Sequence, residues 1–320
     1  MSGEFDRIRQ YFLPLSKPAA DPAAVIGNGD DALAVRTSET LVMSIDTAVA
    51  GTHFPASANP EDIACKALRS ALSDLAAMGA RPWFYTLSLV VPKALPESWW
   101  QRFGETLQAE NEYWQCPCLG GDTTSGDTLV VTVQVQGLCE RPLTRSSARP
   151  GQDIWITGYP GEAAAGLAEL LKGEEPDDRL RRAFYQPEPP VRLMATLQPW
   201  AEAAIDVSDG LVADLRHIAR ASACCMQVWV ENIPISDALN RTVGQDQARQ
   251  LALCGGEDYC TAFTAWPEHA VRIQALADSA GVRLTCIGRV GHLQPEASDL
   301  TLSLDGEPYS ISRQGYDHFV

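Results

Sequence analysis

The placement of acidic residues constrains this chain more than any other feature. Six short segments set a carboxylate beside glycine or a small residue at the apparent end of an element. They are Gly29-Asp30-Asp31-Ala32, Ser44-Ile45-Asp46, Ser73-Asp74, Gly120-Gly121-Asp122-Thr123, Asp206-Val207-Ser208-Asp209-Gly210 and Gly255-Gly256-Glu257-Asp258. Any one of them reads equally well as a turn or a helix cap. Together, in apolar surroundings, they read as a constellation. Glycine lets a backbone approach a phosphate or a metal closely, and carboxylates where loops converge share hard cations with phosphate oxygens.

Charge sharpens this reading. The net charge is −16 and the sequence pI about 4.7. Such a chain has no electrostatic reason to bind nucleic acid or an anionic membrane. A protein this acidic handles a polyphosphate only by bridging like charges, and divalent cations do that. Hydrophobic residues make up 45% and charged residues 21%, the balance of a folded globular protein. No apolar run is long enough to span a bilayer, and MSGEFDRIRQYF lacks the apolar core of a signal peptide. Nine cysteines, an odd number, argue against a disulfide framework. The expectation is a soluble, cytoplasmic protein.

Periodicity supplies the elements. TLVMSID (40–46) reads as a buried strand with Asp46 at its end. Residues 59–79 read as a helix, with Asn59 as N-cap, Pro60 in the first turn, an apolar stripe of Ile63, Ala67, Ala71 and Leu75, and Gly79 as terminator. Asp74 lies off that stripe. Strands are expected at 83–91 and 127–137, where Val131, Val133 and Val135 alternate with polar residues. CERPLTRSSARPG (139–151) is the candidate domain boundary, giving domains 1–148 and 149–320. The second half opens with a strand at 153–158 and a helix through Leu171. It continues with helices near 209–222 and 268–280, a strand at 282–290 and a hairpin turn at Asp305-Gly306. The whole is a mixed α/β chain.

Several chemistries are absent by motif. There is no phosphate-binding G-x-x-x-x-G-K-[ST] loop, no protein-kinase signature set, no G-x-S-x-G elbow and no H-E-x-x-H helix. Cys116, Cys118, Cys224 and Cys225 lack partners at zinc spacing and read as ordinary thiols. His53, following the acidic strand in DTAVAGTHF, is equally a pocket residue or a locally hydrogen-bonded one. Arg145, in the boundary segment, is either a phosphate ligand or a solvated arginine.

Read in order, these segments resemble the thiamine-monophosphate kinase family across nearly the whole chain. The resemblance rests on GEFDRIRQYF, GNGDDALAV, SIDTAVAGTHF, ALRSALSDLAAMGARP, LGGDTTSGD, TRSSARPGQDIWITG, IDVSDGLVADL, GGEDY and GYDHF. SDLAAMG with GGEDY is its specific part. The resemblance implies a two-domain α/β (α+β) fold of the aminoimidazole ribonucleotide synthetase type. The N-terminal domain would bind ATP and metal and pair in a homodimer, and the C-terminal domain would complete the active-site cleft. It implies magnesium ligands at Asp30, Ser44, Ile45 (by its carbonyl alone), Asp46, Asp74, Asp122 and Asp206, with Asp209 on a further ion. Gly121, Asp122, Arg145 and Ser208 would contact ATP, and Tyr113 or Trp114 would stack on adenine. His53, Glu257 and Tyr316 would contact thiamine monophosphate. Asp46, Asp74, Asp122 and Asp209 would carry the catalysis. The implied reaction is direct in-line transfer from ATP to an already ionised phosphate, which needs alignment and charge neutralisation rather than a strong base.

Two segments depart from the family pattern: Cys260 after GGEDY, and GYPGEAAAGL with Pro160 and Glu162. Two rival classes stand beside this reading. One is another ATP-dependent enzyme of the superfamily, such as aminoimidazole ribonucleotide synthetase. The other is a nucleotide- or metal-binding protein without catalysis.

Overall fold

The computed structural model describes residues 10–11, 24–26, 34–35, 37–294 and 298–311. The chain falls into two compact units, one comprising Met1–Leu75 with Arg81–Glu140, the other Ala76–Ala80 with Arg141–Val320. The segment 141–148 thus goes with the second unit, where the Leu143 amide donates to the Met78 carbonyl at 3.0 Å.

In the first unit, β1 (Ala24–Ile26) pairs antiparallel with β2 (Ala34–Val35). The main sheet is formed by β3 (Thr40–Val49), β4 (Arg81–Val91), β5 (Cys118–Ser125) and β6 (Val130–Cys139), in the order β3-β6-β4-β5. Only the β4/β5 pair is parallel. Among the described residues, two α-helices belong to this unit, α1 (Pro60–Ala77) and α2 (Glu97–Trp114). Helix α1 differs from its expected single stripe: Asp62–Ser73 is buried on every side. Its Ala and Ser residues let neighbours approach all round, so burial is not confined to one face. Strand β3 also runs past its expected end. Thr47 and Val49 continue the ladder opposite Thr132 and Val130, which leaves Asp46 within the strand.

The second unit contains β7 (Asp153–Thr157), α3 (Glu162–Lys172), α4 (Asp178–Tyr185), α5 (Val191–Leu197), β8 (Ala201–Val207), α6 (Leu211–Ser222) and β9 (Cys224–Trp229). It continues with α7 (Asp237–Val243), α8 (Gln245–Cys254), β10 (Cys260–Ala265), α9 (Ala270–Ser279), β11 (Leu284–His292), β12 (Leu300–Leu304) and β13 (Glu307–Pro308). Its sheet has the order β13-β12-β9-β11-β7-β10-β8. Ile154 and Ile156 of β7, Ile205 and Val207 of β8, and Met226 and Val228 of β9 form one core with Leu211, Leu215 and Ile218 of α6. That packing fixes the C-terminal end of β8 and the start of α6, the two places where the acids of DVSDG sit. The hairpin at Asp305-Gly306 is present, both residues having positive φ (53° and 86°), as a tight two-residue turn requires.

Candidate active site

Each unit carries its own set of polar residues. In the first, β3 alternates. Val42 and Ala48 are buried, Ser44 and Asp46 are half-buried on the same face, and Leu41, Met43, Ile45 and Thr47 are exposed on the other. Helix α1 brings Asp74 to the Ser44 side, and the Ser44 hydroxyl donates to Asp74 Oδ2 at 2.6 Å. Asp46 Oδ1 accepts from the Thr47 amide at 2.8 Å. The turn after β3 holds His53, whose Nδ1 accepts from the Val49 amide at 3.1 Å. A neutral His53 ring therefore carries its proton on Nε2.

Asp122 stands apart from these. It lies on β5 opposite Ser88, while Gly121 lies opposite Leu87. Leu87 pairs with Val133, which pairs with Asp46. Asp46 and the Gly121–Asp122 pair are thus at opposite edges of the sheet, three strand spacings or roughly 14 Å apart. Gly121 is obligatory there. A Cβ on it would meet the Leu87 carbonyl oxygen at 1.9 Å, and its φ is +157°. Gly121 and Asp122 are both exposed.

The two aromatic residues at the end of α2 differ in exposure. Trp114 is 6% exposed, and its Nε1 donates to Glu110 Oε2 at 2.8 Å. Glu110 is in turn held by Arg69 at 2.7 and 2.8 Å. Trp114 is a core residue and unfit to stack on a ligand. Tyr113, 50% exposed, retains a reachable face.

In the second unit, β8 delivers Asp206, which is buried, and the following bend carries Ser208 and Asp209, both half-buried. Gly210 precedes α6 with φ +117°. The sequence reading missed a further acid, Asp214, in the first turn of α6. Its Oδ2 accepts from the Asp209 and Gly210 amides, each at 3.2 Å. Burial, reinforced by the charges of Asp206 and Asp209, pushes its carboxyl up to about 8. The available signal was an acid four residues after Gly210, in a helical first turn that otherwise reads as dipole complementation.

The loop 255–259 lies directly against that bend. The Glu257 amide donates to the Ser208 carbonyl and the Tyr259 amide to the Val207 carbonyl, both at 2.8 Å. A Cβ on Gly256 would meet the Ser208 oxygen at 2.5 Å, so glycine is what permits this contact. Tyr259 Oη donates to Glu257 Oε2 at 3.3 Å. Asp258 turns the other way, to the N-terminus of α3. Arg145 is exposed in a 3-10 turn (Arg145–Ser147) of the second unit, its carbonyl accepting from Ser222 Oγ at 2.8 Å.

Of the residues singled out in the sequence, Asp30 and Tyr316 lie outside the described residues. Ser44 and Asp74 are in contact, with Asp46 on their face. Among the described residues, no three His, Cys, Asp or Glu side chains are grouped to hold a metal ion. All nine cysteines are free thiols, and burial is the main cause pushing Cys118 up to about 12 and Cys260 well above its ordinary value. No described helix is long and apolar enough to cross a membrane.

Residues 29–139 match the family described as "AIR synthase related protein, N-terminal domain". A crystal structure of thiamine-monophosphate kinase from Stenotrophomonas maltophilia K279a is 38% identical, covers 95% of this chain and 96% of its own, and superposes with a TM-score of 0.83. A solved structure of AaThiL complexed with AMPPCP and TMP is 28% identical, with a TM-score of 0.78 over 99% of this chain and 97% of its own. The fold is therefore that of the two-domain, aminoimidazole ribonucleotide synthetase-like class. Within that class, thiamine-monophosphate kinase of Escherichia coli (strain K12) is 39% identical over 325 residues, spanning 99% of this chain and 98% of its own length. The chain belongs to the thiamine-monophosphate kinase family.

Proposed function

We propose that this protein transfers the terminal phosphoryl group of ATP to thiamine monophosphate, giving ADP and thiamine diphosphate, in the cytoplasm. The observation that carries the reading is likeness along the whole chain, 39% over 99% of its length, to a kinase named for this substrate. The structure of a relative holding AMPPCP and TMP supports it. Free thiols throughout fit a reducing compartment.

The acceptor is a phosphate oxygen, already ionised at neutral pH, so no side chain need remove a proton from it. The protein's part is to hold two anions in line and offset their charge. In this reading Asp46, Asp74, Asp122, Asp206 and Asp209, with Ser44, the Ile45 carbonyl and Asp30, hold magnesium ions. Gly121, Asp122, Arg145 and Ser208 hold ATP. His53, Glu257 and Tyr316 hold thiamine monophosphate. The donors are hard oxygens spread along strand and helix ends, not packed into a closed cage. That suits magnesium, which takes one or two carboxylates from a protein and keeps water or substrate phosphates as its other ligands. When bound, the metal would supply charge neutralisation. The residues orient the phosphates.

We further propose a homodimer formed through the first unit. On the outer face of β3, Met43 is 59% and Ile45 64% exposed, beside Leu41. An apolar stripe on an edge strand is a surface to be covered. Face-to-face pairing of two such sheets about a twofold axis along the strands would bring the Asp46 edge of one copy to the Asp122 edge of the other.

Calorimetry of ATP binding tests the metal's role. ATP should bind at least tenfold more weakly when magnesium is removed with a chelator, because like charges then face each other unbridged. Equal affinity with and without magnesium would contradict the reading.

A further inference from the structure

The loop 255–259 is held in a conformation that its residues disfavour. Glu257 has φ +68° and Tyr259 φ +51°, both left-handed and neither glycine. Such backbone persists only where surrounding contacts over-determine it, and it concentrates where a side chain must be aimed. Two of those contacts are the bonds from the Glu257 and Tyr259 amides to the 207–208 carbonyls. They tie down one side of the loop.

Asp258, between the two strained residues, ties down the other. Its Oδ2 accepts from the Gly161 amide at 2.8 Å and its Oδ1 from the Ala163 amide at 3.3 Å. These amides belong to the start of α3, whose N-cap, Gly161, has no side chain to satisfy them. A carboxylate from far along the chain thus does the work of a local cap. The amides of Gly161 and Ala163 are thereby committed to a protein group rather than a ligand. Around this carboxylate stand Glu162, which pairs with Arg179 at 2.5 Å, and Glu257 itself. Among the described residues, no cation is bonded to Asp258, and both of its side-chain bonds go to the start of α3.

We infer that Asp258 is a positioning residue, clasping the N-terminus of α3 so that the strained loop presents Glu257 to the acceptor substrate. This rests on the proposed role of Glu257 in holding thiamine monophosphate. It also gives the Pro160–Glu162 segment a use: that segment shapes the anchor for the acceptor loop.

The test is a double-mutant cycle in the full-length protein, with wild type run alongside. Asp258→Asn replaces an acceptor by an amide that cannot serve both N–H groups. It should raise the KM for thiamine monophosphate about tenfold and leave the calorimetric Kd for ATP within about twofold. Glu257→Gln should do the same. If Asp258 acts through Glu257, the double variant should be no worse than Glu257→Gln alone. Asp258→Ala, which leaves both amides without their acceptor, should be worse than Asp258→Asn, whose Oδ1 can still serve one of them. Multiplying effects in the double variant, an unchanged KM, or parallel loss of ATP and acceptor binding would each overturn the inference. So would failure of both Asp258 variants to fold, which would make the residue purely structural. Wild-type protein without turnover would sink the kinase reading and this assignment with it. Normal wild-type turnover with unaffected variants would sink the assignment alone.

Discussion

At the scale of single residues, the decisive contact is the 2.6 Å bond from the Ser44 hydroxyl to Asp74. It joins two segments that a sequence reading places on separate elements, β3 and α1. Asp46→Asn, Asp74→Asn and Asp122→Asn should each lower kcat on the order of a hundredfold, the cost of removing one charge-stabilising group. Glu268→Gln, on an exposed residue of the second unit, should leave turnover unchanged. Circular dichroism must show each fold intact, since none of the three acids packs in the core. Near-normal turnover in all three would make them structural. The residue types were legible in the sequence because glycine, serine and aspartate in apolar surroundings form an unusual pattern. Which residues touch was not. Trp114 and Tyr113 are neighbours in sequence, yet one is sealed behind Glu110 and the other exposed. Asp214 escaped because an acid in a helix's first turn already has an ordinary reason to be there.

At the scale of elements, the long periodic segments were legible, and the irregular ones were not. The alternation of Val131, Val133 and Val135 gave β6, and the Pro60-Glu61-Asp62 start gave α1. Strand β5 was hidden, because CLGGDTTS carries two glycines and no apolar alternation. It is a strand only because β4 offers it a parallel partner, and Gly121 accepts the close approach that results. That strand sets Asp122 at the edge opposite Asp46, which makes the proposed pairing of first units testable. Light scattering should show the mass of a dimer for wild type and of a monomer for Ile45→Lys, which places a charge in the apolar stripe. Mixing Asp46→Asn and Asp122→Asn proteins under conditions that exchange subunits should recover about a quarter of wild-type turnover, from one intact site in half of the dimers. A monomeric wild type, or no recovery on mixing, would show that each copy works alone.

At the scale of the molecule, the two-part organisation was visible as a break in pattern between residues 139 and 151. The structure gives 141–148 to the second unit, along with Ala76–Ala80 from the end of α1, an exchange that no local signal announces. The balance of charge carries further. With 41 acids against 25 lysines and arginines, the chain repels anions, and the proposed magnesium ions would offset that repulsion for its substrates. All of this converges on one reaction, and one assay reaches it directly. Purified protein is incubated with ATP, magnesium and thiamine monophosphate, and the products are separated and quantified, with unphosphorylated thiamine and an acceptor-free blank as controls. The account predicts thiamine diphosphate and ADP in equal amounts, formed only when thiamine monophosphate and magnesium are both present. ATP consumption with no thiamine diphosphate, or no ATP consumption at all by folded protein, would contradict it.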